Sequence, residues 1–272
     1  MTQDEFRKLQ QAQLVIMDEV HRLCEENGIA YYLIAGSALG AVRHGGFIPW
    51  DFDIDIGMRR ADYDRFREVC LTGLSERFSY RDHTNADLPA PHALICLRGT
   101  RLVCCYDKFN PGRENLGIYM DIFPLDGAPS DPVLQERHKK DIARSKKALY
   151  RKRAFCYSRA PLKNFLKRAV GRLMFYTSPR KCSDALDGVL RRYGEACDLL
   201  GSFTSPYRYE KECMPAAVYG RPRKISFEGR EFYVPERVED YLTRLYGDYM
   251  QLPPEEDRER CRNYFEDVAF EG

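Results

Sequence analysis

Hydrophobic positions near the start of the chain recur at helical intervals. Phe6, Leu9, Ile16, Val20 and Leu23 predict an amphipathic helix, with Thr2 to Glu5 reading as a capping box and Gly28 as a stop. Ile29 to Ala35 is an unbroken apolar run suited to a buried strand, ended by Gly36-Ser37, and SALGAVRH predicts a brief helix from Ser37. Past the Gly45-Gly46 turn the period shortens to two: GFIPWDFDIDIGM predicts a strand over 51–57, set up by Pro49. Helical spacing returns between Arg60 and Phe78, through Tyr63, Phe66, Val69, Cys70 and Leu74.

Two apolar stretches, 92–97 and 101–107, flank Gly99 and predict a hairpin; after the loop FNPGRENLG, IYMDIF at 118–123 predicts a further strand. Pro132 to about Leu200 reads as a succession of basic helices broken near Pro161 and Pro179. KISFEGREFYV predicts a hairpin centred on Glu228-Gly229, and Pro235 to Tyr246 a last helix that stops at Gly247, before Pro253-Pro254. Strands interleaved with helices around one sheet, with a helical insertion, give an α/β or α+β fold. The expected organisation is a core over 1–131, a basic helical region over 132–205 and a C-terminal hairpin and helix over 206–272 that complete the core.

At 272 residues, with eighteen Tyr and fifteen Phe, the chain can bury a sizeable core, which excludes a disordered protein. No run approaches the roughly 18 apolar residues of a membrane span. MTQDEFRKLQQ is polar and acidic where a signal peptide is basic and then apolar, so a cytoplasmic location is expected. The ten cysteines are scattered without a C-x-x-C pair or zinc-type His spacing, and are read as reduced, partly buried thiols. Charge changes the picture more. From Pro132 to Arg192 there are eighteen Lys/Arg against four Asp/Glu, a local +14 in a chain whose total is +2.

The candidate chemistry lies in the alternating segment. In a strand, Asp51, Asp53 and Asp55 point one way while Ile54 and Ile56 point the other, into packing. Charges on an edge strand can simply deter aggregation. The surroundings favour a site instead. Gly36-Ser37 opens a helix whose free N–H groups suit a phosphate, with the Ser37 hydroxyl as an extra donor, and Asp121 brings a carboxylate from another strand. Two aspartates from one strand and a third from its neighbour can hold Mg²⁺, which bridges phosphates and acidifies an attacking hydroxyl, and Asp121 can accept that hydroxyl's proton.

These residues carry a resemblance. Gly36-Ser37 followed by Asp53-Ile-Asp55 is similar to the signature of nucleotidyltransferases with a polymerase-β-like fold. LIAGSALGAVRHGGFIPWDFDIDIGM more narrowly resembles the LicD family, to which fukutin and fukutin-related protein also belong. MDIFPLD at 120–126 and YLTRLYGDYMQLPP at 241–254 extend the likeness from about residue 10 to 258. One departure is visible: the family usually reads W-D-D-D-I-D-I, and Phe52 replaces the middle acid, on the side away from the other three. The resemblance implies a mixed sheet flanked by helices and a metal-dependent phosphotransferase. Bacterial members move phosphocholine from CDP-choline to a hydroxyl of a cell-surface glycan. Mapped onto this chain, Asp53, Asp55 and Asp121 are catalytic and hold Mg²⁺ or Mn²⁺, Asp51 touches a second ion or orients the loop, and Gly36-Ser37 grips phosphate.

Arg43 and His44 either neutralise phosphate or hold the 45–50 loop. Trp50 either packs or offers its face to a quaternary ammonium group. Asp126 supports the metal site or only a turn. Tyr246-Gly-Asp-Tyr249 is expected to close over the site. In the basic region, Phe165, Leu166, Ala169, Val170, Leu173 and Met174 form an apolar stripe flanked by Lys and Arg. Such a helix packs one face on its domain, attracts an anionic polymer or lies on an anionic membrane. The size of the excess favours a polyanionic or membrane-attached acceptor, with the protein peripheral at the inner face of the membrane. No nucleic-acid-binding signature is present. The expected partners are therefore a CDP-alcohol donor and a glycan or lipid-linked glycan acceptor. The alternatives are nucleotidyl transfer from an NTP with release of pyrophosphate, and a non-catalytic glycan-binding protein.

Overall fold

The computed structural model describes residues 2–86, 88, 91–110, 114–156, 160–194, 196–262 and 265–270. Helix α1 (Gln3–Asn27) opens on the expected box: the Thr2 hydroxyl accepts from the Glu5 N–H at 3.2 Å, and the Glu5 carboxylate accepts from the Thr2 N–H at 2.7 Å. Gly28, at φ 59°, ends it. The apolar stripe of α1, from Leu9 through Ile16 and Val20 to Leu23, is fully buried.

The strand after α1 is shorter than its apolar run suggests. β1 is Tyr32–Leu33 only, and α2 (Ala35–His44) follows at once through a left-handed Ala35 at φ 47°. This shortens the acidic strand as well. β2 (Asp55–Arg59) begins at Asp55 rather than Asp51, since its β1 partner stops at Leu33 opposite Ile56. Residues 51–54 therefore run beyond the sheet. Then come α3 (Arg60–Gly73), β3 (Phe78–Arg81), β4 (Ala93–Leu97), β5 (Thr100–Cys104) and β6 (Ile118–Ala128). The sheet order is β1-β2-β6-β4-β3; β2 and β6 are parallel and the other neighbours antiparallel. The expected hairpin across Gly99 is absent. Both edges of β4 are taken, by β3 and β6, so β5 turns away and pairs elsewhere.

The basic region is α4 (Pro132–Arg153), α5 (Pro161–Leu173) and α6 (Pro179–Leu190), each with proline in its first turn. Strand β7 (Leu199–Gly201) joins the end of β6. Helix α7 (Tyr209–Glu212) leads to β8 (Met214–Pro215), the outermost of seven strands, and to α8 (Ala216–Tyr219). The hairpin of β9 (Arg223–Phe227) and β10 (Arg230–Val234) turns on Glu228 and Gly229, both at positive φ, as a two-residue turn requires. Helix α9 (Val238–Tyr246) ends at Gly247; α10 (Glu255–Arg262) and β11 (Phe265–Phe270) follow, and β11 supplies the partner of β5.

One large core lies between the sheet and helices α1 and α9, while α4 and α6 share a smaller core built on Ala128, Ile142, Leu149, Leu186 and Leu190. Nine cysteines are free thiols, and the side chain of Cys261 lies outside the described residues, as do 111–113 of the FNPGRENLG loop. No described helix is long and apolar enough to cross a membrane. Asp126 has no turn role. Its carboxylate accepts two hydrogen bonds from the Arg60 guanidinium, at 2.8 and 2.6 Å, both groups buried, and Arg60 also meets Asp187 at 3.1 Å.

Candidate active site

A cavity of about 810 Å³ opens where α2 and the parallel β2–β6 pairing start. Asp51, Asp53 and Asp55 line it together with Glu212. Asp121 stands beside Asp55, its register partner across the parallel β2–β6 pair, so the two side chains leave the same face of the sheet. Asp55 thus meets Asp121 through sheet register, while Asp51 and Asp53 precede the strand. Phe52 points elsewhere, its ring edge-on to Phe265 at 4.6 Å, and so joins the acid segment to β11.

The electrostatics are those of crowded carboxylates. Burial pushes Asp53 and Asp55 well above the usual range, and the charges of the other aspartates push the same way. Asp51 is raised too, by burial, despite hydrogen bonds from Asp53 and from the Phe52 N–H. Asp121 meets His92, whose Nε2 lies 2.9 Å from Oδ1 and whose ring stacks on Phe123.

Glu212 is a fourth buried acid in the lining. Burial pushes it up to about 7, although the Ser205 hydroxyl donates to it. Its other oxygen, Oε2, has no hydrogen-bond partner among the described residues.

As the side chains lie, no group of three or more described His, Cys, Asp or Glu residues is arranged to hold a metal ion. The chemistry of the donor set nevertheless fits one. Crowded hard carboxylate oxygens with raised pKa values are the donors that Mg²⁺ or Mn²⁺ prefers.

The other predicted residues fall around this wall. A Cβ at Gly36 would lie 2.5 Å from Asp51 Oδ2, so the close approach that glycine allows there is made by a carboxylate. Buried Ser37 accepts the Asp55 N–H at 2.8 Å, tying α2 to the first residue of β2. Arg43 lines the cavity and, instead of bonding the 45–50 loop, donates to the carbonyls of Tyr249, at 2.7 Å, and Gln251. That anchors the segment after α9 over the cavity, where Tyr246, Asp248, Tyr249 and Leu252 to Pro254 form its roof. Trp50 lines the cavity with the Arg258 guanidinium 5.4 Å from its ring centre, and His44 stands edge-on behind it at 6.2 Å. Tyr207 and Tyr246, joined through their hydroxyls at 2.6 Å, complete an aromatic wall.

Sequence reasoning missed four contributors. Gln10 and Gln13 of α1 are buried; Gln10 donates to the Asp51 carbonyl at 2.8 Å and Gln13 to the Tyr119 carbonyl at 2.7 Å. Two polar residues on the apolar face of α1 were the available signal. His92 and Glu212 gave none, since their roles arise only when β4 and α7 are brought to the cavity.

Fold and cavity define the class: a mixed α/β protein with an acid-walled cleft at the start of a parallel strand pair. Comparisons give the class its family. Residues 28–88 match the family described as LicD/FKTN/FKRP, nucleotidyltransferase domain. Over 262 residues, 93% of this chain and 94% of the relative, the sequence is 33% identical to a Haemophilus influenzae protein named lipopolysaccharide cholinephosphotransferase LicD. A stretch of 38 residues, 14% of this chain and 8% of the relative, is 53% identical to the human ribitol 5-phosphate transferase FKRP. The chain belongs to the LicD family.

Proposed function

We propose that this protein transfers phosphocholine, or a similar phospho-alcohol, from a CDP-linked donor to a hydroxyl of a cell-surface glycan or its lipid-linked precursor. The core is read as a polymerase-β-like nucleotidyltransferase fold. The observation that carries the proposal is the gathering of Asp51, Asp53 and Asp55 on one cavity wall beside the start of α2, with Asp121 next to Asp55 in the sheet register, in a chain that aligns along nearly its whole length with a cholinephosphotransferase.

In this reading Asp53, Asp55 and Asp121 hold Mg²⁺, with Asp51 completing the set. The ion, when bound, neutralises phosphate oxygens and lowers the pKa of the attacking hydroxyl. The start of α2 faces the donor phosphates. Trp50, Tyr207, Tyr246 and Tyr249 offer aromatic faces to a quaternary ammonium group; the Arg258 guanidinium over Trp50, 5.4 Å from its ring centre, is consistent with cation binding there. The acceptor oxygen attacks the phosphorus that bears choline, a P–O bond to that oxygen forms, and the bond to the bridging oxygen breaks. CMP leaves with that oxygen. The hydroxyl proton goes to Asp121, which His92 orients.

The test is a product assay with Mg²⁺ and a panel of CDP-alcohols and NTPs. CMP released from CDP-choline, together with a phosphocholine-modified acceptor, supports the reading. Pyrophosphate from an NTP would replace it with nucleotidyl transfer, and the absence of product with every donor would leave a glycan-binding protein.

A further inference from the structure

Helix α5 is inside out. On a helical wheel Phe165, Ala169, Leu162, Leu173, Leu166 and Val170 occupy one continuous arc, with Gly171 and Asn164 opposite. An ordinary amphipathic helix turns such an arc inward. Here Gly171 is the buried residue: a Cβ there would meet the Arg151 carbonyl at 3.0 Å and the Ala154 side chain at 3.1 Å, so α5 rests on the end of α4 by its glycine side. Polar contacts fasten that side. Lys152 donates to the carbonyls of Gly171 and Met174, Lys167 to that of Phe155 and Arg168 to that of Phe109. The apolar arc is left in water: Leu162 is 69% exposed, Phe165 66% and Leu173 71%, and Phe175 just beyond is 87% exposed.

We infer that this face docks on an anionic lipid bilayer, with Leu162, Phe165, Leu166, Val170, Leu173 and Phe175 entering the boundary between headgroups and acyl chains. Charge selects the occupant. Lys163 and Lys167 edge the arc on one side and Arg168 and Arg172 on the other, and residues 160–183 contain six Lys/Arg and no Asp or Glu. A second copy of this face would bring the same cationic rim and be repelled. A bilayer with anionic headgroups offers negative charge and apolar depth in the order that the rim and arc require.

Docking would also place the acceptor. The groove between α4 and α5, about 500 Å³, shares Ala143 and Lys146 with a cavity of about 240 Å³, which shares Tyr207 and Glu212 with the acid cleft. That this row serves a lipid-linked acceptor rests on the phosphotransfer reading above; the docking itself does not.

The experiment is flotation of the full chain with vesicles of phosphatidylcholine plus phosphatidylglycerol, and with vesicles of phosphatidylcholine alone. Wild type is expected to float with the first and much less with the second. Phe165→Glu/Leu173→Glu should weaken partitioning about a hundredfold or more, and Lys163→Gln/Arg172→Gln about thirtyfold. Both changes lie on exposed positions, and both variants should keep wild-type turnover with CDP-choline and a soluble acceptor. Equal flotation with both vesicle types, no flotation, or wild-type flotation by the Phe165→Glu/Leu173→Glu variant would each overturn the inference. So would a wild-type dimer in sedimentation that the same variant abolishes. Flotation needs neither donor nor turnover, so its failure and a failure of the transfer assay remain separate results.

Discussion

The acid cleft and helix α5 depart from ordinary burial in opposite senses. Carboxylates normally face water and large apolar side chains avoid it. In the cleft, Asp53 and Asp55 sit deep enough for burial and mutual repulsion to favour their protonated forms. On α5, Phe165 and Leu173 stand in water. Each arrangement is unfavourable in isolation, and the kind of cost indicates the kind of relief. Crowded charges act over a few ångströms and are relieved by a compact cation. Exposed apolar surface is additive over area and is relieved by an extended medium. Arg60 and Asp126 provide the internal standard, a buried carboxylate held by two hydrogen bonds from one guanidinium.

The sharpest way to break the comparison is to neutralise the cleft. Asp53→Asn, Asp55→Asn and Asp121→Asn are each expected to lower turnover by about three orders of magnitude or more, the scale of several kcal/mol of metal-assisted charge stabilisation. Stability should move the other way for the first two. Their folded-state pKa values are raised, so their stabilising contribution is complete below the unfolded value of 3.8 and is lost as pH rises through the folded value. At neutral pH with chelator, Asp53→Asn should therefore melt above wild type, and Mg²⁺ should narrow the gap. A wild-type turnover in Asp53→Asn would remove the metal reading. Asp126→Ala tests the compensated case. It should cost about 3–5 kcal/mol in urea unfolding because Arg60 is left buried and partly unpaired, with activity lost only as the fold is lost.

The same contrast governs what was legible in the sequence. The cleft was readable because its residues are local: Gly36-Ser37 and Asp51, Asp53 and Asp55 lie within twenty positions, and Asp121 sits mid-strand. The helices were readable through their caps and prolines. Pairing was not. Nothing in the periodicity of 101–107 tells that β4 has no free edge, nor that FEDVAF near the end will take β5. The apolar stripe of α5 was plain, but its direction is set by Gly171 against α4 and by three cationic side chains reaching carbonyls, contacts that exist only after folding. Arg43 was expected to neutralise phosphate or to hold the 45–50 loop; its bond to the Tyr249 carbonyl, which fastens the roof, likewise exists only after folding.

Glu212 sharpens the comparison as a buried acid with a partial set of partners. Its folded-state pKa of about 7 exceeds the unfolded 4.5, so it contributes stability fully below 4.5, and that contribution disappears as pH rises through 7. Wild type should lose up to about 3 kcal/mol over that window from this group. Glu212→Gln keeps an acceptor for Ser205 and cannot ionise. Its unfolding free energy should match wild type near pH 4.5 and exceed it at pH 8. Parallel pH profiles for the two proteins would show that Glu212 is ionised without cost, and that the cleft tolerates a fourth charge.

The smallest expected effect tests how the acids are held. Gln10 and Gln13 fix backbone carbonyls, of Asp51 and of Tyr119, two residues before Asp121. Each side chain supplies one buried hydrogen bond, so Gln10→Ala and Gln13→Ala should cost about 1–2 kcal/mol of stability apiece. A purely structural role would stop there. If the two bonds also set the spacing of the carboxylates, the Mg²⁺ concentration for half-maximal turnover should rise several-fold in both variants, while the apparent KM for CDP-choline changes less. The double variant should be additive in stability, since the two carbonyls lie on separate segments, yet more than additive in Mg²⁺ dependence if the carboxylates they position share an ion as proposed. Additivity in both measurements would mean that α1 supports the cleft only as packing, and that the register of β2 against β6 alone sets the distance between Asp55 and Asp121.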